Sequence, residues 1–323
     1  MLIKKNNSFF TNEGLLCGLR QLDPNGGWLS HNPKTGWQID TPEIDKDIDI
    51  YLQDVLTYVG DKVIELENYI KHYGTDITKI TFYTWHKNLS DVYPNLNIRW
   101  YPLFLKEHLK DAITHRREIE NTFHFSKKTA KFLCLNARLR KHRDIVVNKV
   151  SKNPNCVFSY THRGIKSPLE NDWKIEDYRD YNTKGEKYLT NTKNLLIASP
   201  LYNSTSFSLV TETRNSLPFD FVTEKTTQCF LALHPAVFVS NKNHVAMLRD
   251  WGFDVFDDIF NHAYDSVEND QRIEKLFNDN NDLLTKGLII NESIKSRLLK
   301  NRIHYLDNFG KSLPKYDKKS HNH

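Results

Sequence analysis

Apolar positions recur along this chain with two different periods, and their alternation predicts a mixed α/β protein. Short apolar runs at 80–85, 98–105, 131–136, 157–160, 207–212 and 236–240 are bounded by polar or turn-forming residues and read as strands. Between them the spacing changes. Ile48, Tyr51, Leu52, Val55, Leu56, Val59, Val63 and Ile64 fit one face of a long amphipathic helix interrupted near Gly60. Helical spacing returns through Ile145, Val146, Val147 and Val150, from about Thr223 onward, through Val245, Leu248 and Trp251, and across 270–284 and 291–306.

Polar residues dominate 107–120, which predicts an exposed helix or connection, and 171–193, which predicts an irregular excursion before order returns at 194–199. Asp23-Pro24-Asn25-Gly26-Gly27-Trp28 and the stretch from His31 to Trp37 are turn signals, so the chain should begin with a loop-rich region. A length of 323 residues exceeds the usual size of one core. The division expected is an α/β domain at 1–126, a second α/β domain with a parallel sheet at 127–285, and a C-terminal helix with a polar tail at 286–323.

Composition narrows the setting. Apolar residues make up 39% and aromatic residues 12%, enough for two cores, while no apolar run approaches the ~20 residues of a membrane-spanning helix. The polar N-terminus carries no secretory signal, which predicts a cytoplasmic protein without a membrane partner. Cys17, Cys134, Cys156 and Cys229 lack metal-ligand spacing and are expected as reduced thiols. The net charge of +5 is less telling than its distribution: Lys127, Lys128, Lys131, Arg138, Arg140, Lys141 and Arg143 follow one another without an acid.

In a parallel α/β sheet, ligands gather beyond the C-terminal ends of the strands, where helix N-termini and backbone donors face outward. Three segments fall at such ends: Glu212, the group Thr223-Glu224-Lys225, and the basic turn from Asn136 to Arg143. A carboxylate there can accept hydrogen bonds from two ribose hydroxyls, and Lys225 with Arg138 or Arg140 can neutralise a diphosphate. Each piece also has a local reading, in which Thr223 caps a helix, Glu224 favours its first turn, Lys225 faces water and the arginines start a solvated helix. No metal site is expected. Asp47-Ile48-Asp49 reads as a helix start and Asp257-Asp258 as a solvated pair, and no glycine-rich phosphate loop occurs.

The run Phe221-Val222-Thr223-Glu224-Lys225, preceded by Val210-Thr211-Glu212 and followed by Pro235-Ala236-Val237, resembles the C-terminal donor-site signature of α1,3-fucosyltransferase-like enzymes. It is also similar to phage and viral glycosyltransferases, in which a basic turn like 135–143 precedes the TEK segment and a Gly-Phe-Asp like Gly252-Phe253-Asp254 follows. The resemblance spans roughly 131–265 and implies a GT-B arrangement, two Rossmann-like domains facing a cleft, with the nucleotide sugar held by the second. It implies ribose contact by Glu224, diphosphate contact by Lys225, phosphate contact by Arg138 or Arg140, and Glu212 near the sugar or ribose, with Asn136 and Thr223 completing the donor site. Thr211-Glu212-Thr213 replaces the family's Phe-Glu-Asn, which leaves the donor sugar open between UDP- and GDP-linked forms.

The reaction implied is metal-independent, inverting transfer from a nucleotide diphosphate sugar to an acceptor hydroxyl, of a glycan or of a modified base in phage DNA. A base must take the hydroxyl proton, and Asp23 and His86, just after the 80–85 strand, are the candidates. Trp28, Trp37, Trp85 and Trp100 would suit either acceptor. The alternative from a different class is a non-catalytic nucleic-acid-binding protein that uses the basic 127–143 segment.

Overall fold

The computed structural model describes the backbone of strands 2–5, 8–11, 19–21, 48–52 and 80–84, and residues 89–92, 94–100, 102–125, 128–137, 139–160, 164–166, 191–216 and 222–314. The chain packs as two compact units, Met1–Leu103 with Pro314–His323, and Phe104–Leu313.

In the first unit, β1 (Leu2–Lys5) and β2 (Ser8–Thr11) pair antiparallel. A separate sheet has the order β3 (Leu19–Gln21), β4 (Ile48–Leu52), β5 (Ile80–Thr84), β6 (Asn97–Trp100), with β3 antiparallel and the others parallel. A short helix, α1 (Leu89–Val92), precedes β6. The expected helix from Ile48 is thereby corrected, because its first turn is β4, paired from Ile48↔Ile80 to Leu52↔Thr84. Ile48, Ile50 and Leu52 alternate as well as they fit a helical face, and strand partners on both sides decide between the two periods. Asp49 accordingly sits in a strand and not at a helix start. Asp47 and 53–79 lie outside the described residues.

The second unit is built on β7 (Phe132–Asn136), β8 (Cys156–Tyr160), β9 (Ile165–Lys166), β10 (Phe207–Thr211) and β11 (Ala236–Val239), in the order β11-β10-β7-β8-β9. Four strands are parallel and β9 closes one edge antiparallel. Every residue of β8, β10 and β11 is buried, as expected where helices cover both faces of a parallel sheet. Aromatic packing ties the layers together: Phe132 stacks on Phe207 at 5.1 Å, and Phe230 on Phe253 at 4.0 Å.

The crossovers are α4 (Lys141–Val150) between β7 and β8, α5 (Asn191–Ile197) and α6 (Ser199–Ser204) before β10, and α7 (Glu224–Leu231) between β10 and β11. Right-handed connection puts α4 on one face and α5, α6 and α7 on the other, because the chain leaves β7 in one direction and returns past it in the opposite one. The direction of winding therefore reverses between β7 and β10. Helices α8 (His244–Asp250), α9 (Asn269–Asp279), α10 (Asn281–Lys286), α11 (Glu292–Ile303), a π-helical turn (His304–Phe309) and α12 (Gly310–Ser312) complete the unit.

The division falls at Leu103/Phe104 and not at Ser126. Ahead of β7, α2 (Leu103–Thr114) and α3 (Arg116–Thr122) bury Leu105, Leu109, Ala112 and Ile119. Polar contacts tie them to the rest of the second unit. The Asp111 carboxylate accepts from the Thr192 amide at 2.9 Å, and Asn203 donates to the Thr122 carbonyl at 2.8 Å. Likewise 286–313 is not a separate piece. Arg297 and Asn301 of α11 hold Asp254 of the Gly-Phe-Asp motif, Asn301 donating to its carbonyl at 2.8 Å and Arg297 forking onto its carboxylate.

Candidate functional site

The Thr223-Glu224-Lys225 group opens α7 beyond the C-terminal end of β10. Thr223 is extended (φ −116°, ψ −176°) and its hydroxyl accepts from the Lys225 amide, which makes it the helix N-cap. Leu233, in the left-handed region at φ 57°, follows the helix end, and the His234 amide returns to the Cys229 carbonyl at 2.9 Å.

Glu212 fixes this entrance from below. It is completely buried, and one carboxylate oxygen accepts from the Thr223 amide at 3.0 Å and the Thr226 hydroxyl at 2.7 Å. The other accepts from the Thr223 hydroxyl and from the Thr213 amide at 3.3 Å. Its carbonyl accepts from His142 Nε2 at 2.9 Å and from Arg143 at 3.3 Å. Four donors on two oxygens make Glu212 the clamp between β10 and α7.

Glu224 and Lys225 face the opening. Each side chain is about a quarter exposed, and Lys225 Nζ contacts Glu224 Oε1 at 2.5 Å, Thr223 Oγ1 at 3.2 Å and Thr213 Oγ1 at 3.4 Å. Burial alone would push the Glu224 carboxyl up, but the charge and hydrogen bond of Lys225 bring it down to about 2. Paired with Lys225, Glu224 is thus an ionised acceptor at neutral pH.

Behind the pair lies a cavity of about 140 Å³. Its floor is one face of the sheet, where Leu133 and Leu135 of β7 lie beside Ser208 and Val210 of β10 in period two. Asn194, Ala198 and Tyr202, spaced four apart along α5 and α6, form one wall, and Glu224, Lys225 and Gln228 of α7 the other. Asn136 and Thr211 lie at its strand-end rim, joined by a hydrogen bond from the Thr211 hydroxyl to the Asn136 carboxamide. This is the crevice where the winding of the sheet reverses, the usual ligand position in such folds.

The basic turn is only partly a surface. Arg143 is buried and donates to the carbonyls of Thr211 and Glu212, and burial holds its guanidinium below its ordinary value. Lys128 donates to the carbonyls of Tyr202 and Thr205, and burial lowers its amine to about 7. Arg140 is half-buried at the N-cap of α4, while Lys131 and Lys141 are exposed. The described cations of the segment therefore do not make one phosphate-binding face. Arg138, Lys127, Asp23, His86, Trp28, Trp37 and Trp85 lie outside the described residues, as do Phe221, 171–190 and the terminal histidines. Trp100 ends β6 in the first unit.

Three features have no counterpart among the sequence expectations. His108 of α2 is buried, and burial lowers its imidazole to about 4 despite the Glu224 and Asp111 carboxylates. Its spacing from Leu105, Leu109 and Ala112 puts it on the inward stripe of α2, which is the signal the polar composition of 107–120 conceals. At the far end of the cavity, His234 Nε2 meets the Tyr202 carbonyl at 2.7 Å, so its Nδ1 accepts from the Ser208 hydroxyl at 2.9 Å. Asn194 and Gln228 reach the cavity lining from separate helices, and no local pattern marks them.

Among the described residues no cluster of three or more His, Cys, Asp or Glu is placed to hold a metal ion, and no helix is long and apolar enough to cross a membrane. Comparison with protein-family models, curated proteins and solved structures returns no match.

Proposed function

We propose that the protein is a glycosyltransferase that binds a nucleotide diphosphate sugar, UDP- or GDP-linked, in the second unit and transfers the sugar to an acceptor hydroxyl. The observation that carries this reading is the Glu224–Lys225 pair at the strand-end reversal, open to the side and backed by a cavity. In the resting protein each charge satisfies the other. An incoming diphosphate would draw Lys225 away, leaving the ionised Glu224 to accept hydrogen bonds from ribose hydroxyls. Asn136 and Thr223 shape the rim and the cap; Glu212 acts through Thr223 and touches nothing that reacts.

In the transfer step the acceptor oxygen attacks the anomeric carbon, the carbon–oxygen bond to the phosphate breaks, and the diphosphate leaves with the electron pair toward Lys225. The hydroxyl proton goes to a base on the acceptor side. Glu224 is occupied by the ribose hydroxyls in this reading, so Asp23 and His86 are the residues to test, within a GT-B arrangement of two nucleotide-fold-like units. The acceptor is a glycan or a modified base in DNA. A base within duplex DNA would have to be extruded first.

Thermal-shift and titration panels of UDP, GDP, CMP and their sugars test the donor site. Lys225→Ala should weaken the nucleotide that binds by roughly 10- to 100-fold, the value of one charged hydrogen bond, and Glu224→Ala should weaken nucleoside diphosphates more than pyrophosphate. No response of the parent to any nucleotide at millimolar concentration would sink the assignment. Asp23→Ala and His86→Ala variants that both keep near-parent transfer rates would eliminate both base candidates.

A further inference from the structure

We infer that the cavity behind Glu224 and Lys225 receives the nucleobase of the donor and that it selects a single six-membered ring, a pyrimidine, over a fused purine. This rests on the donor-site reading and deepens it. The cavity measures about 140 Å³. An apolar protein cavity of about 150 Å³ accommodates one benzene ring, so a pyrimidine fits where a purine bicycle does not.

The lining decides which part of the donor goes there. Leu133, Leu135 and Val210 present a flat apolar floor, suited to the face of an aromatic ring. A sugar would set those of its hydroxyls that lie over Leu133, Leu135 and Val210 against carbon, at the desolvation cost of each. The sugar is excluded on chemical grounds too, because its anomeric carbon must remain open to the acceptor while this space lies between the sheet and α5, α6 and α7. Asn194 of α5 and Gln228 of α7 each bring a carboxamide to the lining. A carboxamide carries both a donor and an acceptor, which matches the alternating carbonyl and N–H groups of a pyrimidine edge. With the base against these carboxamides, the ribose reaches Glu224 and the diphosphate reaches Lys225 at the mouth, in the order in which the donor is built.

The test is titration calorimetry of the full chain with UDP, CDP, GDP, ADP and inorganic pyrophosphate, repeated for Asn194→Leu, Gln228→Leu and Lys225→Ala. UDP or CDP should bind at least tenfold tighter than either purine nucleotide. Asn194→Leu and Gln228→Leu should each weaken the preferred pyrimidine nucleotide by about tenfold, the loss of one hydrogen bond, and leave pyrophosphate unchanged. Lys225→Ala should weaken nucleotides and pyrophosphate alike. Purine nucleotides binding as tightly as pyrimidine ones in the parent overturn the inference, whatever the variants do. So does a pyrimidine preference that survives both leucine variants, while the donor site itself then stands on the Lys225 result. Binding of no nucleotide and no pyrophosphate overturns the donor reading and this inference together.

Discussion

Glu212 shows how one side chain can satisfy a sequence pattern for a different physical reason. An acid at the end of an apolar strand, eleven positions before the cap of the next helix, reads as a ligand contact; in the fold its two oxygens take four donors and see no solvent. Replacing it orphans the Thr223 amide and the Thr226 hydroxyl, so Glu212→Ala should cost about 2–4 kcal/mol by urea unfolding. Thr223→Ala, which removes a cap and one partner, should cost about 1–2 kcal/mol. A Glu212→Ala protein no less stable than Thr223→Ala would refute the clamp. The neighbouring His142 carries a pH dependence. Burial lowers its imidazole from 6.5 to about 4 although its bond to the Glu212 carbonyl favours the protonated form. Between those values the unfolded chain binds the proton more readily, so stability is full above pH 6.5 and falls as pH drops toward 4. The slope is up to about 1.4 kcal/mol per pH unit. His142→Gln keeps a donor for the carbonyl and should flatten the change in urea midpoint between pH 7 and 5; an unaltered slope would assign the acid sensitivity elsewhere.

Among the elements, legibility follows how many physical signals agree. Strands β7, β8, β10 and β11 were readable because each is a short, almost wholly apolar run between polar stretches, the mark of a strand buried on both faces. Helix α7 was readable from its cap, with Thr223 followed by an acid and then a face of buried residues. Strand β4 was not, since Ile48, Tyr51, Leu52 and Val55 fit a helix as well as Ile48, Ile50 and Leu52 fit a strand, and only pairing with β3 and β5 separates the two. The same limit applies to the site. Thr223-Glu224-Lys225 is contiguous and visible, whereas Asn194 and Gln228 meet it only through the crossover helices and His108 only through α2. Gly287 marks another contact hidden from the sequence. Its φ is +78°, and a Cβ there would run into the backbone carbonyl of Ala130, which accepts from the Leu288 amide at 3.1 Å. Gly287→Ala should therefore lose about 2–4 kcal/mol, combining left-handed strain with a clash that only backbone movement relieves. Gly164→Ala is the control: φ is +67° but the space is open, and the loss should be only about 1–2 kcal/mol. Equal losses in a denaturant titration would show that the approach to Ala130 is not tight.

For the whole molecule, the informative correction is the boundary. The polar character of 107–120 suggested an exposed helix or connection, with the second domain starting at 127; the segment is helical, and Leu105, Leu109, Ala112 and Ile119 form an apolar stripe that makes α2 and α3 part of the parallel-sheet unit. A fragment cut at 127 would lose that stripe and would also leave Thr192, Glu224 and Asp307 without Asp111, His108 and Arg116 beside them. A fragment of 103–313 keeps them and keeps the entire lining of the cavity. It should unfold in one cooperative transition and bind the same nucleotides as the full chain within about threefold, since a unit with its own core folds on its own. A fragment of 127–313 should be less stable by several kcal/mol, through loss of at least two buried leucines at about 2–3 kcal/mol each. If the proposed division of labour is right, 103–313 will bind donor yet transfer no sugar, because the base and acceptor surface belong to the other unit. Transfer by 103–313 at the full chain's rate would place the whole reaction in the second unit, and loss of nucleotide binding from a cooperatively folded 103–313 would place the donor site outside it.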